Sequence, residues 1–300
     1  MTIEFDGKVA IVTGAGSGLG RSHALGLAAR GANVVVNDLA GASFDNAMRV
    51  VEEIRAKGGT AIADPADVAD FEEVSAMVAR AERLWGHVDI LVNNAGVLRD
   101  KTFAKMEMAD FEFVLRVHLI GSANCTKAVW AGMRERNYGR VVLTSSASGI
   151  YGNFGQANYG AAKAAMIGLM NVLHLEGAKN DIRVNVLAPT ARTGMTEGLL
   201  SPVAAELMTP ESVTPGVLFL VSEDAPSRVI LGAGAGVFAV THIGETPGIY
   251  LDESERTPET IAARFAEISD AKTAEPLKDA FAQTYKFVAA AAKAKGIKLE

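Results

Sequence analysis

The chain has one cysteine, Cys125, in 300 residues. No disulfide can close within it, and a reducing compartment is expected. Cys125 falls in an apolar helical stretch, which reads as a small buried hydrophobe rather than a nucleophile. No apolar run approaches the ~18 residues of a membrane span, so no membrane association is expected. Clustered Lys and Arg are also lacking. With a net charge of −6 the chain is no dedicated nucleic-acid binder, because neutralising phosphates takes a basic patch. His23, His87, His174 and His242 show no ligand spacing with Asp, Glu or Cys, so no metal is expected. The start, Met1-Thr2-Ile3-Glu4-Phe5-Asp6-Gly7-Lys8, lacks a basic segment followed by an apolar one, and no secretory signal is expected. The end, Gly296-Ile297-Lys298-Leu299-Glu300, is not the tripeptide read for peroxisomal import. These absences predict a cytoplasmic protein.

What is present is enough apolar residue, 49%, to build one large core. Short β-branched runs alternate with amphipathic segments. Val9–Thr13, Asn33–Asn37, Thr60–Ala63, Ile90–Asn93, Val141–Ser145, Arg183–Leu187 and Val237–Val240 read as strands. Ala69–Trp85 and Glu107–Arg136 read as helices; Val74, Met77, Val78, Ala81 and Leu84 recur at helical spacing. Such alternation predicts right-handed crossovers and an α/β fold: a Rossmann-type, doubly wound parallel sheet of about seven strands. A dinucleotide-binding catalytic domain is expected over 1–250. Residues 251–300, with helical segments near Pro258–Ser269 and Pro276–Lys295, are expected to form a helical C-terminal extension packed on the same domain or its dimer partner. A packed extension, an oligomer arm and a lid are all open readings of it.

Val9-Ala10-Ile11-Val12-Thr13 runs into Gly14-Ala15-Gly16-Ser17-Gly18-Leu19-Gly20 and then a helix. A strand, a glycine turn and a helix N-terminus set backbone N–H groups and a positive dipole end against a pyrophosphate. Asp38 follows eighteen residues after Gly20, where an acid binds ribose hydroxyls, although a plain turn acid is the alternative. A 2′-phosphate would meet that carboxylate with no Lys or Arg beside it, so NAD is expected over NADP. Asp67 and Val68 are placed to flank the adenine, with a helix cap as the other reading of Asp67. The run Gly232-Ala233-Gly234-Ala235-Gly236 precedes a strand and reads as a tight structural turn.

Of the five tyrosines only Tyr159 has a lysine, Lys163, four residues downstream; Ser146 lies thirteen residues before it. On a helix, positions i and i+4 share a face, which brings phenol and ammonium together. A free phenol titrates near pKa ~10, so a base at neutral pH needs about three units of lowering, which Lys163 and an oxidised nicotinamide are expected to supply. Tyr159 then takes an alcohol proton while hydride leaves the same carbon, and Ser146 orients the reacting oxygen.

With these residues in place the chain resembles the short-chain dehydrogenase/reductase family over roughly residues 6–245. The resemblance rests on Thr13 to Gly20, Asn93-Asn94-Ala95-Gly96, Ser146, and Tyr159 with Lys163. More narrowly, Asn93–Phe103, Arg116–Leu119 and Ala147–Tyr159 look like the branch of (3R)-hydroxyacyl-CoA dehydrogenase units and 17β-hydroxysteroid dehydrogenases of the type 2 multifunctional enzymes. The resemblance implies NAD-linked oxidation of a (3R)-hydroxyacyl-CoA, with a 17β-hydroxysteroid substrate or a catalytically silent NAD-binding protein as alternatives. It also implies a homodimer or homotetramer. By the same likeness Asn94, Ala95 and Gly96 support the cofactor pocket, and Thr190 faces the nicotinamide. His118 stands where the wider family has asparagine, and reads either as support for a proton relay or as a packed helix histidine. Arg99, Lys101 and Lys105 read as partners for coenzyme A phosphates or as a solvated charge run.

Overall fold

The computed structural model describes residues 2–192 and 201–299. Most strands are apolar runs rich in β-branched residues and buried on both faces, the expected signature of parallel sheets covered by helices; the last strand is exposed. These are β1 (Val9–Val12), β2 (Asn33–Asn37), β3 (Thr60–Asp64), β4 (Ile90–Asn93), β5 (Gly139–Thr144) and β6 (Ile182–Pro189), followed by β7 (Ile230–Gly234) and β8 (Val237–Thr241). They form one sheet in the order β3-β2-β1-β4-β5-β6-β7-β8, parallel from β3 to β7. Alternate residues feed two cores. Ala10, Val12, Val34, Val36, Ile90 and Val92 pack on one side, and Val9, Ile11, Val35, Leu91 and Val141 on the other. The strand order reverses between β1 and β4, which opens a crevice beyond their carboxyl ends.

The sheet of eight strands accords with the expected fold; the strand not read from the sequence is β7, which corrects the reading of the glycine run as a turn. Ile230, Leu231, Gly232 and Ala233 pair with Val186, Leu187, Ala188 and Pro189, so the first part of the glycine run is strand. Glycine there answers to a close approach: a Cβ on Gly234 would lie 2.6 Å from the Thr190 carbonyl oxygen. Only Ala235 and Gly236, at φ 50° and 77°, make the turn into β8.

The crossover helices are α1 (Gly18–Ala28), α2 (Ala42–Ala56) and α3 (Phe71–Trp85), then α4 (Met108–Leu115) and α5 (Gly121–Arg136). After β5 come α6 (Ala147–Tyr151) and α7 (Ala157–Gly177), and after β6 come α8 (Pro202–Leu207) and α9 (Thr214–Leu220). In α3 the carboxylate of Asp70 accepts from the Glu72 and Glu73 N–H groups, Gly86 ends the helix in the left-handed region, and Val74, Met77, Val78 and Ala81 are buried. The cap is therefore Asp70, not Asp67. The single helix expected over Glu107–Arg136 is split by a π turn, Arg116–Ile120, between α4 and α5.

The chain divides into two compact units, Met1–Val240 and Thr241–Glu300. Within the second, Thr257 caps α10 (Pro258–Ala263), α11 (Phe265–Ile268) follows, and Asp279 caps α12 (Ala280–Lys295). Lys286 ion-pairs with Glu245 and donates to the Thr246 carbonyl, which fastens α12 to the start of the unit. Phe281, Tyr285 and Phe287 are exposed in the single chain, although their apolar character predicted packing.

His23 on α1 is fully buried, and burial holds its imidazole down to about 3. Its Nδ1 bonds the Thr214 hydroxyl at 2.9 Å, while Nε2 has no partner among the described residues. A depressed histidine binds its proton more readily when unfolded. It therefore stabilises the fold above pH 6.5, and that stability drains away as pH falls toward 3, at up to ~1.4 kcal/mol per pH unit. The urea midpoint of the wild type is expected to drop between pH 6.5 and 4.5, and His23→Leu to drop less steeply. Equal slopes would show that His23 is not neutral in the fold.

Candidate active site

Thr13, at the end of β1, ties the crevice together. Its hydroxyl accepts from the Asn94 and Ala95 N–H groups at 3.0 Å each. The Asn94 side chain donates to the Thr13 and Gly14 carbonyls at 2.9 and 3.1 Å. The glycine turn is thereby pinned to the end of β4. No side chain fits at two points of it: a Cβ would fall 2.8 Å from Ala95 Cα at Gly14, whose φ is +60°, and 2.2 Å from the Gly14 oxygen at Gly20. At the N-terminus of α1, Ser17 is extended, at φ −152°, and its side chain makes no cap hydrogen bond. The first-turn N–H groups of Gly18, Leu19 and Gly20 have no capping side chain and sit at the positive end of the helix dipole.

The Asp38 carboxylate accepts from Gly16 N and Leu39 N, both at 2.9 Å, which fixes it at the rim of the turn. Among the described residues no Lys or Arg ion-pairs with Asp38. Uncapped amides for a diphosphate beside a fixed carboxylate for ribose hydroxyls form a donor and acceptor set that fits a dinucleotide. Asp67 turns its carboxylate back on the Ala69 N–H at 2.9 Å, and buried Val68 offers its carbonyl to Asn124 at 3.0 Å. Thr190, exposed just beyond β6, is held by its N–H to the Ala233 carbonyl at 2.8 Å.

Ser146, Tyr159 and Lys163 converge where β5, α6 and α7 meet. Ser146 is the N-cap of α6; its Oγ accepts from Ser148 N at 3.2 Å, which leaves its own hydrogen to donate. Lys163 is buried, with Nζ donating to the Thr144 carbonyl at 2.6 Å and standing 5.6 Å from the centre of the Tyr159 ring. The Ser145 hydroxyl donates to the Lys163 carbonyl at 2.7 Å and fastens the helix to the strand end. Shared-face spacing on α7 thus does what the sequence predicts.

The electrostatics differ from expectation. Burial lowers the Lys163 ammonium to about 7. Burial also raises the Tyr159 phenol, opposed by a hydrogen bond with Ser146 and reinforced by the Asp100 carboxylate. The protein alone therefore does not acidify this phenol. Both groups lose water at once, and a lysine that is itself hard to charge gives little help.

The His118 ring meets the Tyr159 ring edge-on at 5.3 Å and 82°. It lies on the π turn, buried, with Nε2 2.8 Å from the Val97 carbonyl oxygen and Nδ1 without a partner among the described residues. Burial, with Lys163 nearby, holds it down to about 3, so it is neutral at physiological pH. Lys101 and Arg99 both face Asp110, at 3.2 and 3.9 Å, and Arg99 stacks over Phe113. A phosphate bound there would compete with that carboxylate. The Cys125 thiol is buried and pushed up to about 12, which leaves it unreactive at neutral pH.

Sequence reasoning did not single out Asp100, Ser148, Gln156 or Asn158. Asn158 is fully buried, and its amide donates to the Arg99 carbonyl at 2.9 Å, anchoring the loop after β4 to α7. Ser148, Gln156 and Asn158 had only their nearness in sequence to Tyr159 as a signal, and Asp100 had none. A cavity of about 330 Å³ lies elsewhere, against α1, α2 and α9, lined by Leu25, Gly26, Ile54, Thr214 and Pro215. It contains none of the converging residues. Among the described residues no group of three or more His, Cys, Asp or Glu is placed to hold a metal, and no helix is long and apolar enough to cross a membrane.

The short chain dehydrogenase family model matches residues 8–202. Peroxisomal multifunctional enzyme A of Dictyostelium discoideum is 44% identical over 275 residues, covering 89% of this chain and 61% of that protein. Peroxisomal multifunctional enzyme type 2 of Mus musculus is also 44% identical, and the chain spans only 37% of its length. Among solved structures, full-length peroxisomal multifunctional enzyme type 2 from Drosophila melanogaster superposes with a TM-score of 0.83 at 37% identity. That match covers 97% of this chain and 50% of the other. A 7α-hydroxysteroid dehydrogenase complexed with NADH and 7-oxo glycochenodeoxycholic acid gives a TM-score of 0.72 at 32% identity, covering 78% and 95%.

Proposed function

The chain belongs to the short-chain dehydrogenase family, and from that premise we propose that it oxidises the 3-hydroxyl carbon of a (3R)-hydroxyacyl-CoA with NAD. The observation that carries the reading is the convergence of Ser146, Tyr159 and Lys163 after β5, on the same edge of the parallel sheet as the glycine turn after β1. The substrate class is supported by relatives named as multifunctional enzymes and by an acetoacetyl-CoA reductase of Allochromatium vinosum, 38% identical over 229 residues.

When bound, an oxidised nicotinamide dinucleotide supplies the hydride acceptor and a positive ring. Gly14, Gly16, Ser17, Gly18, Leu19 and Gly20 would hold its diphosphate, and Asp38 would hold its adenosine ribose. Asp67 and Val68 would flank the adenine, while Asn94, Ala95, Gly96 and Thr190 would support the nicotinamide end. Ser146 donates to the substrate oxygen and orients it. Tyr159 takes the hydroxyl proton as hydride leaves the adjoining carbon. Lys163 would hold the second ribose, and the positive ring of the bound cofactor, more than the hard-to-charge lysine, would favour the phenolate. His118, held neutral, supports the phenol by its edge contact and is not the group that takes the substrate proton.

Asp38 favours NAD, because a 2′-phosphate would meet its carboxylate. Asp38→Ser is expected to narrow the preference for NAD over NADP by at least tenfold, ~1.4 kcal/mol, in fluorescence titrations. An unchanged ratio would remove Asp38 from cofactor choice. A 17β-hydroxysteroid substrate is the second reading, favoured by the likeness to a hydroxysteroid dehydrogenase. Formation of NADH from matched concentrations of (3R)- and (3S)-hydroxyacyl-CoA and a 17β-hydroxysteroid decides between them. Activity confined to the (3R) thioester supports the proposal, and activity confined to the steroid overturns it. Tight NAD binding with no turnover would instead mark a silent NAD-binding protein.

Assembly as a homodimer or homotetramer belongs to the same proposal, as does reading 251–300 as an extension of a catalytic domain. The multifunctional-enzyme relatives are peroxisomal by name, which does not favour the cytoplasmic location expected from the sequence.

A further inference from the structure

Gln156 occupies the N-cap position of α7, yet its side chain makes no cap hydrogen bond. It is committed elsewhere. Its Nε2 donates to Asp100 Oδ2 at 2.6 Å, and its Oε1 accepts from Ser148 Oγ at 2.7 Å and from Asn153 Nδ2 at 3.0 Å. The partners fix the orientation of the amide, since the reverse would set its oxygen against a carboxylate. Ser148 in turn donates its backbone N–H to Ser146 Oγ at 3.2 Å. A continuous chain of hydrogen bonds thus runs from Asp100, through Gln156 and Ser148, to the hydroxyl that orients the reacting oxygen.

That chain links three separate segments. Asp100 stands on the loop after β4, Ser148 on α6, and Gln156 at the start of α7, three residues before Tyr159. The backbone braces the same junction: Lys101 N donates to the Gly155 carbonyl at 3.0 Å, and Asn158 holds the Arg99 carbonyl. A residue needed only to start α7 would have capped it. Gln156 instead spends its amide on aligning the loop with α6.

We propose that Asp100 and Gln156 are positioning residues, which set the Ser146 hydroxyl and the Tyr159 phenol in register and hold the Asp100 carboxylate in place through the Gln156 amide. The inference deepens the functional reading above and rests on it for the role of the phenol. Among the described residues, the charged or titratable groups that act on Tyr159 are Lys163 from α7, His118 from the π turn and Asp100 from the loop. His118 is neutral, so the balance lies between Lys163 and Asp100. The Asp100 charge acts to raise the phenol.

The substitutions separate charge from alignment. Asp100→Asn keeps an acceptor for the Gln156 amide and removes the charge; Gln156→Leu keeps the charge and breaks the chain. The phenol can be titrated without any substrate, by ultraviolet difference absorbance of each protein against the same protein carrying Tyr159→Phe. Asp100→Asn is expected to lower that midpoint by ~0.5 pH unit, the size of a part-screened charge effect. The acidic limb of the kcat profile should move by the same amount, to lower pH. Gln156→Leu is expected to lower kcat at least tenfold with NAD affinity unchanged and a smaller midpoint shift. An unmoved midpoint in Asp100→Asn, or full kcat in a folded Gln156→Leu, overturns the proposal. Failure of the wild type to oxidise any alcohol sinks the functional reading, while the absorbance titration still decides whether Asp100 biases the phenol.

Discussion

Tyr159→Phe is expected to leave dinucleotide binding intact and to cut turnover by about 10²–10⁴-fold, the usual contribution of a positioned proton acceptor. The substitution removes one hydroxyl and keeps the ring, so the edge contact with His118 survives. Cofactor affinity, read by fluorescence titration, and the melting temperature serve as controls for folding. The sign of the pH dependence follows from the site. Burial raises the phenol, so the deprotonated form is scarce at neutral pH, and oxidation in the wild type should accelerate as pH rises. Turnover by the variant within a fewfold of wild type would remove the phenol from the chemistry.

Lys163→Ala should damage binding and turnover together. It deletes a buried ammonium that donates to the Thr144 carbonyl, and a hydrogen bond to a charged group contributes about 1.5–3 kcal/mol, or roughly 10–100-fold in affinity for what it holds. Its pH behaviour is more specific. The ammonium is held down to about 7, so it is charged below that pH and neutral above it. NAD affinity in the wild type is therefore expected to weaken as pH rises through about 7. In Lys163→Ala it should be weaker throughout and show no such step. A variant with wild-type affinity, or one that keeps the step, would contradict the ribose role of Lys163.

The parallel sheet was legible because its strands are apolar runs with β-branched residues, punctuated at the right lengths. β7 was not, because Gly232 and Gly234 carry the low strand propensity of a turn. At Gly234 the backbone around Thr190 comes too close for a side chain, whereas a Cβ on Gly232 would make only ordinary contact with the Ala239 oxygen at 3.5 Å. The π turn was equally hidden: Arg116–Ile120 has ordinary helical residues, and nothing in their periodicity signals an added residue. Ser146, Tyr159 and Lys163 could be read from spacing, since a helix and a strand end convert sequence distance into shared space. Their electrostatics could not be read, because the loss of water at Lys163 and Tyr159 depends on what covers them. Asp100 lies 59 residues before Tyr159 and Gln156 only three, and no pattern marks either one. Only the fold joins the loop after β4 to the start of α7.

The most direct test of the whole account follows the hydrogen itself. A (3R)-hydroxyacyl-CoA carrying deuterium at carbon 3 is incubated with the protein and NAD, and the reduced cofactor is examined by mass spectrometry. The predicted result is one deuterium in each NADH formed by the wild type, with almost no labelled cofactor from Tyr159→Phe. Firm NAD binding with no deuterium transferred from this thioester or from any other labelled secondary alcohol would contradict it.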